Sequence, residues 1–279
     1  MNRLLGANLA RMIKSRIFWV LEIFMFGYGV FAYASMAVNI KNGLHAVGGY
    51  LPYFFNEMLA MGGVTALFTV FFLGTEYSDG VIRNKISVGH RRIDIYLANV
   101  ITCYIATVIE FATYTLTAIV IGGLLIGRES FDGFNQMPQR IGCCLVILLA
   151  YAVIFSLLSM LDSSKARVTA VSLVLVLVFV ILVTQIYGDL AEPELTDRMV
   201  MSPESGELEL EENIPNSRYI SGTKRIVYEW IDSFLPADQV MYVMEWETEM
   251  TWKAPLCMLG ESVVLICLGI YVFGRKDIK

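Results

Sequence analysis

Between Gly74 and Tyr96 the chain reads GTEYSDGVIRNKISVGHRRIDIY, and how this stretch is read decides how the rest is read. It lies between two apolar runs and is dense in Arg, Lys, Asp and Glu. Between Gly80 and Gly89, the apolar Val81, Ile82 and Ile86 fall on one helical face, with Ile82 and Ile86 at i,i+4, while Arg83, Asn84 and Ser87 point elsewhere. Glycines bound the segment. The spacing therefore predicts a short amphipathic helix just outside a membrane, with Arg91 and Arg92 at head-group level. A solvated connector would need no apolar face.

Composition supplies the membrane. The chain is 56% hydrophobic with only 17% charged residues, and its mean hydropathy is +0.61. A soluble domain carries about 25% charged residues, so lipid is the expected solvent. Apolar runs of about 20 residues place six spans, at Ile17–Met36, Phe54–Leu73, Tyr96–Ile126, Ile141–Leu161, Val168–Tyr187 and Ala254–Phe273. The third is too long for a perpendicular helix, so it must tilt, protrude or break near Gly122-Gly123. No stretch alternates as a barrel strand does, which leaves a helical bundle.

The N-terminus imitates a signal peptide, with Arg3, Arg11, Lys14 and Arg16 before an apolar stretch and Ala32-Tyr33-Ala34 in the form of a cleavage site. The run from Ile17 to Met36 is nevertheless long enough to span, so an uncleaved first helix is expected. Before it, Leu4, Leu5, Leu9 and Met12 share a face, which suits an interfacial helix on the cytoplasmic leaflet.

With six spans, four cation-bearing segments share one side. They hold Arg3, Arg11, Lys14 and Arg16; Arg83, Lys85, Arg91 and Arg92; Lys165 and Arg167; and Arg275, Lys276 and Lys279. The opposite short loops hold only Lys41, Arg128 and Arg140. By the positive-inside rule both termini are expected in the cytoplasm. The long segment Gly188–Lys253 then lies outside; its fifteen acidic residues face five basic ones. Its first half, with Glu204 and the acidic run Glu207–Glu212, reads as an exposed loop or hairpin. Its second half places Ile226, Val227, Trp230, Ile231 and Phe234, then Val240, Val243 and Met244 beyond Pro236, at helical spacing. Two short amphipathic helices capping the outer leaflet are expected. The resulting division is residues 1–187 for the interfacial helix and five spans, 188–253 for the acidic outer segment, and 254–279 for the last span and tail.

These residues carry a resemblance. Glu76, Tyr77, Gly80, Val81, Ile82, Arg83, Asn84, Gly89 and Arg92, together with the tail Phe273-Gly274-Arg275-Lys276-Asp277-Ile278, are similar to the motifs of the ABC-2 type permeases, membrane subunits of bacterial ABC exporters. Asn99 departs from the pattern, where Lys would be expected. The resemblance implies an all-α, six-helix exporter bundle in the bacterial cell membrane. It also implies that 80–89, with Ile86 on its apolar face, is a cytoplasmic coupling helix docking on a separate ATPase subunit. ATP and magnesium would belong to that subunit, and this chain would bind no cofactor. A second permease chain, identical or paralogous, would complete the pathway, and the cargo would be an amphipathic or antimicrobial peptide or another hydrophobic compound.

Read for chemistry, the chain offers little. No Gly-Lys pair exists for a phosphate-binding loop, and neither HExxH nor GxSxG occurs. His45 and His90 fall on opposite sides of the predicted membrane. Cys103, Cys143, Cys144, Cys257 and Cys267 lie in apolar runs without CxxC spacing and read as small buried hydrophobes. No enzymatic site, metal site or nucleic-acid partner is expected. Three carboxylates, Glu22, Glu110 and Glu261, sit within spans, where a charge costs about 2.5–3.5 kcal/mol at mid-membrane. Counting residues places Glu110 and Glu261 at one depth and Glu22 nearer the inner edge. Either they line a pathway, meeting cationic cargo or protons, or they hydrogen-bond partners such as Thr102, Thr107 and Ser262 and fix packing. The first option also opens an alternative function, an ATP-independent channel or secondary transporter using Glu110 and Glu261.

Overall fold

The computed structural model describes residues 1–43, 54–126, 136–162, 164–201, 208–245 and 252–276. His45, Arg128, Glu204, Glu207, Asp277, Ile278 and Lys279, named above, lie outside these. Helix α1 (Asn2–Lys14) is followed by α2 (Arg16–Lys41), α3 (Met58–Ser78), a short α4 (Val81–Ser87) and the long α5 (Arg92–Leu125). Then come α6 (Met137–Leu161), α7 (Lys165–Ala191), an antiparallel hairpin of β1 (Leu195–Met201) and β2 (Leu208–Pro215), α8 (Gly222–Phe234), α9 (Pro236–Met244) and α10 (Lys253–Arg275). Six of these, α2, α3, α5, α6, α7 and α10, are long and apolar enough to cross a membrane.

Burial sorts the six. Helices α3 and α6 form the centre, packed on each other and on α5, with α7 against α3 and α10 against α6, whereas α7 and α10 leave most of their apolar surface uncovered. In lipid such surface incurs no penalty, so an unburied Leu or Val here needs no protein partner. The acidic segment, expected to begin as a loop or hairpin, folds as a hairpin followed by two helices. Asn213 sits in the left-handed region at φ 59° beside the irregularity between Thr196 and Arg198, and its amide donates to Asp197 Oδ1 at 2.9 Å.

The long α5 answers its own length problem by protruding. Glu22 meets Thr113, Gly29 meets Thr117 and Tyr33 meets Gly122, so α2 and α5 run parallel, and the first three turns of α5 extend past the start of α2. Helix α1 packs there. At its other end α5 does not break at the glycine pair but takes a π-helical turn over Ala118–Gly122. A Cβ on Gly122 would stand 2.8 Å from the Tyr33 ring, so glycine is what lets α2 approach.

Candidate functional site

Helix α4 is framed by two glycines that accept backbone angles other residues resist, Gly80 at φ 66° and Gly89 at φ 92°. Its faces separate as predicted. Ile82 is buried in the core, Val81 and Ile86 are half-buried, and Arg83, Asn84, Ser87, Val88 and Gly89 are exposed.

The residues before α4 do not belong to a loop. Helix α3 runs on to Ser78, so Glu76 and Tyr77, which open the motif that the resemblance links to ATPase coupling, point into the bundle. Glu76 is fully buried and tolerated there because cations come to it: Arg11 Nη1 lies 2.7 Å from its Oε1, and Lys85 of α4 forms a close ion pair with the same oxygen. Asn99 Nδ2 donates to Glu76 Oε2 at 2.7 Å, Asn8 Nδ2 donates to Asn99 Oδ1 at 2.7 Å, and Lys85 Nζ donates to Asn8 Oδ1 at 2.9 Å. The result is a closed ring, Glu76–Asn99–Asn8–Lys85, with one member each from α3, α5, α1 and α4. Burial pushes the Lys85 pKa down and Glu76 pulls it back. Arg11 also lies 4.0 Å over the Phe72 ring.

A second knot joins the sequence motifs near residues 77 and 276. Tyr77 Oη donates to the Met160 carbonyl at 2.9 Å, and Lys276 Nζ donates to that carbonyl at 2.9 Å and to Tyr77 Oη at 3.2 Å. Arg92, expected at the head groups, is turned inward. Its Nη1 donates to the carbonyls of Phe273, Gly274 and Lys276 at 3.3, 3.2 and 2.5 Å. It thereby satisfies the open C-terminus of α10, where a cation also suits the helix dipole. Arg140 does the same for α9 at the far end, donating to Tyr242 and Val243 carbonyls at 3.0 and 2.8 Å. Counting charges for topology could not reveal either role.

Glu22, expected nearer the inner edge, stands beside Glu110. Glu110 is fully buried, and both its oxygens lack a hydrogen-bond partner; its carboxylate neighbour is Glu22, not Glu261. Thr113 Oγ1 donates to Glu22 Oε2 at 2.5 Å. Counting residues sets Glu22 too near the inner edge because α2 starts deeper than α5. Thr102 and Thr107 bond their own helix, to Ala98 O and Cys103 O, rather than Glu110. Ser262 Oγ has no partner, and Glu261 is half-buried with Oε2 unpartnered. Glu57 was missed: it opens α3 fully buried, 3.5 Å from Thr115 Oγ1 and beside Tyr28, Tyr33 and Tyr114. The Asn56-Glu57 pair at the head of an apolar run was its signal.

Residues 4–278 match the family model described as "ABC-2 family transporter protein". The chain belongs to the ABC-2 family. No curated protein matches it. The ABC-2 assignment covers nearly the whole bundle, so this chain is a multi-pass membrane protein and a permease component of an ABC transporter. Among the described residues of the ABC-2 permease, no group of three or more His, Cys, Asp or Glu side chains could hold a metal.

Proposed function

We propose that this permease is the membrane half of an ATP-driven exporter and that α4 is where a separate ATPase subunit, carrying ATP and magnesium, docks. The observation that carries this reading is the Glu76–Asn99–Asn8–Lys85 ring. It makes a seven-residue helix mechanically continuous with α1, α3 and α5, while Arg83, Asn84, Ser87 and Val88 remain exposed on its outer face. A push on that exposed face has no soft joint to dissipate in, and packed interfaces respond by switching between discrete arrangements. The end bearing α1, α4 and the C-terminus of α10 is then cytoplasmic, in keeping with its cations. Two permease chains, identical or paralogous, would enclose the path, and amphipathic peptides or other hydrophobic compounds are the proposed cargo.

The test is co-purification with the partner ATPase and measurement of its stimulated hydrolysis. Arg83→Glu with Val88→Asp is expected to cut both at least tenfold without altering folding. Association and stimulation at the wild-type level in that variant would remove α4 as the docking element. A second reading draws on Glu110, buried beside Glu22 without a hydrogen-bond donor: proton-coupled transport without an ATPase. It predicts flux that follows the proton gradient and is lost in Glu110→Gln.

A further inference from the structure

At the end of the bundle remote from α4, a polar cavity stands apart from the coupling elements. Tyr187 of α7, Arg225, Glu229 and Asp232 of α8, and Tyr242 and Glu245 at the end of α9 enclose about 320 Å³. Three carboxylates face the Arg225 guanidinium, which is already engaged 3.2 Å from Glu229 Oε1 and 3.5 Å from the Leu190 carbonyl, while Lys253 acts on Asp232 and Arg140 on Glu245 from outside the lining. Asp232 is 8% exposed; Tyr242 and Gln239 hydrogen-bond its carboxyl, Gln239 Nε2 lying 3.5 Å from Oδ2, and its Oδ1 has no hydrogen-bond partner. A buried acceptor left open in this way calls for a donor. Tyr187 and Tyr242 meet edge to face with centroids 5.5 Å apart, and Tyr187 Oη donates to Glu245 Oε2 at 2.9 Å. Aromatic and carboxylate walls thus stand together, the combination that recognises organic cations.

One helical turn nearer the bundle centre, a second, apolar cleft of about 70 Å³ lies between α7 and α9, lined by Phe179, Val183, Val240 and Met241. Thr184 in this cleft and Tyr187 in the polar cavity are three residues apart, so one face of α7 serves both. Val180 at the cleft is half exposed, which opens it sideways onto the uncovered apolar surface of α7. A charged receptacle therefore sits directly above an apolar slot that leads toward lipid.

We propose that the two cavities together bind an amphiphilic ammonium ion, its amine held by Asp232 and Glu245 beside the tyrosine rings and its apolar chain lying in the cleft along α7. Calling that molecule cargo rests on the export reading above; the binding itself does not. A membrane lipid with an ethanolamine head group and the basic end of an apolar peptide carry the same chemistry.

The purified chain in phosphatidylcholine nanodiscs can be titrated calorimetrically with octylammonium, with octyl sulfate as the anionic match and empty nanodiscs subtracted. Saturable binding is expected for octylammonium alone. It should weaken at least tenfold in Asp232→Asn/Glu245→Gln and in Val240→Trp, which fills the cleft. Glu229→Gln, at an exposed position that tolerates change, should weaken it two- to threefold and guards against misfolding of the others. Equal binding of octyl sulfate, or octylammonium binding unchanged in both the Asp232→Asn/Glu245→Gln and Glu229→Gln proteins, would overturn the proposal. Repeating the titration in discs containing phosphatidylethanolamine separates the sources: competition assigns the site to a lipid amine, and no competition to a soluble amphiphile. No ATPase is present, so failure here leaves the docking of α4 untouched, and failure of docking leaves this site untouched.

Discussion

Asn99 Nδ2 donates to Glu76 Oε2 at 2.7 Å while Asn99 Oδ1 accepts from Asn8 Nδ2 at the same distance, so one carboxamide ties α3 to the N-terminal helix. A lysine in its place would offer donors only and break the ring at Asn8. Asparagine here, where lysine was the expectation, is thus matched to its neighbours: Lys85 and Arg11 already supply the cations that Glu76 needs.

Glu76→Gln removes the anion and leaves Arg11 and Lys85 facing an amide. Losing one partner of a buried ion pair typically costs 3–5 kcal/mol, and with Arg11 part-exposed about 3 kcal/mol is expected. Adding Lys85→Met removes the stranded charge and should recover part of the loss. Thermal unfolding in nanodiscs measures both, and tryptic cleavage at Lys14 should quicken in the single variant.

Ile82 and Val88 are close in sequence but opposite in consequence. Ile82 is 1% exposed and Val88 79%. Ile82→Asp buries a charge among apolar side chains and is expected to destabilise by more than about 3 kcal/mol. Val88→Asp should stay within about 0.5 kcal/mol of wild type yet lower ATPase stimulation. Comparing melting midpoint with stimulated hydrolysis across the two separates anchoring from docking.

Arg92→Lys is not conservative here, because one guanidinium nitrogen serves three carbonyls. The expected cost is about 1–2 kcal/mol. Amide hydrogen exchange over the last turn of α10 should accelerate, with the middle of α10 unchanged.

Gly269 lies against Tyr96 so closely that an added Cβ would stand 2.0 Å from the Tyr96 hydroxyl. Gly269→Ala should force α10 away from α5 at a cost of about 1–3 kcal/mol. Gly260→Ala on the same helix meets nothing within 4 Å and should be neutral or stabilising by up to about 1 kcal/mol. Melting midpoints in parallel decide this.

The α8–α9 lobe should lose stability as pH rises. Burial holds Asp232 up to about 6, with Tyr242 and Gln239 as hydrogen-bond partners, Glu229 opposing ionisation and Lys253 favouring it. Burial and the nearby Asp232 hold Asp238 up to about 7. Unfolded aspartates titrate near 4. Between about pH 4 and 7 the folded form therefore keeps protons that the unfolded form releases, so stability falls across that window and is level above it. Asp238→Asn should flatten the slope and raise the melting midpoint at pH 8. A midpoint that climbs from pH 5 to 7 in wild type would contradict this.

Much of this architecture was written locally. Twenty-residue apolar runs fix spans because a bilayer offers no partner for an open backbone, and Val81, Ile82 and Ile86 at helical spacing fix the inward face of α4. The order of elements follows from such patterns, as do the two helices late in the acidic segment, and the permease class follows from the likeness of the Gly74–Tyr96 stretch and the tail to the ABC-2 motifs. What the sequence by itself did not determine is which charges are spent inside. Glu76 reads as a surface acid until Arg11, Lys85 and Asn99 arrive from three other helices. Arg92 and Arg140 read as topology markers until the C-termini of α10 and α9 present their carbonyls. Glu22 meets Glu110 only because α2 starts partway along α5. Each depends on helix register and on contacts between residues tens to hundreds of positions apart. Only the packed structure supplies those, since a buried charge is tolerated according to its partners and not its place in the chain.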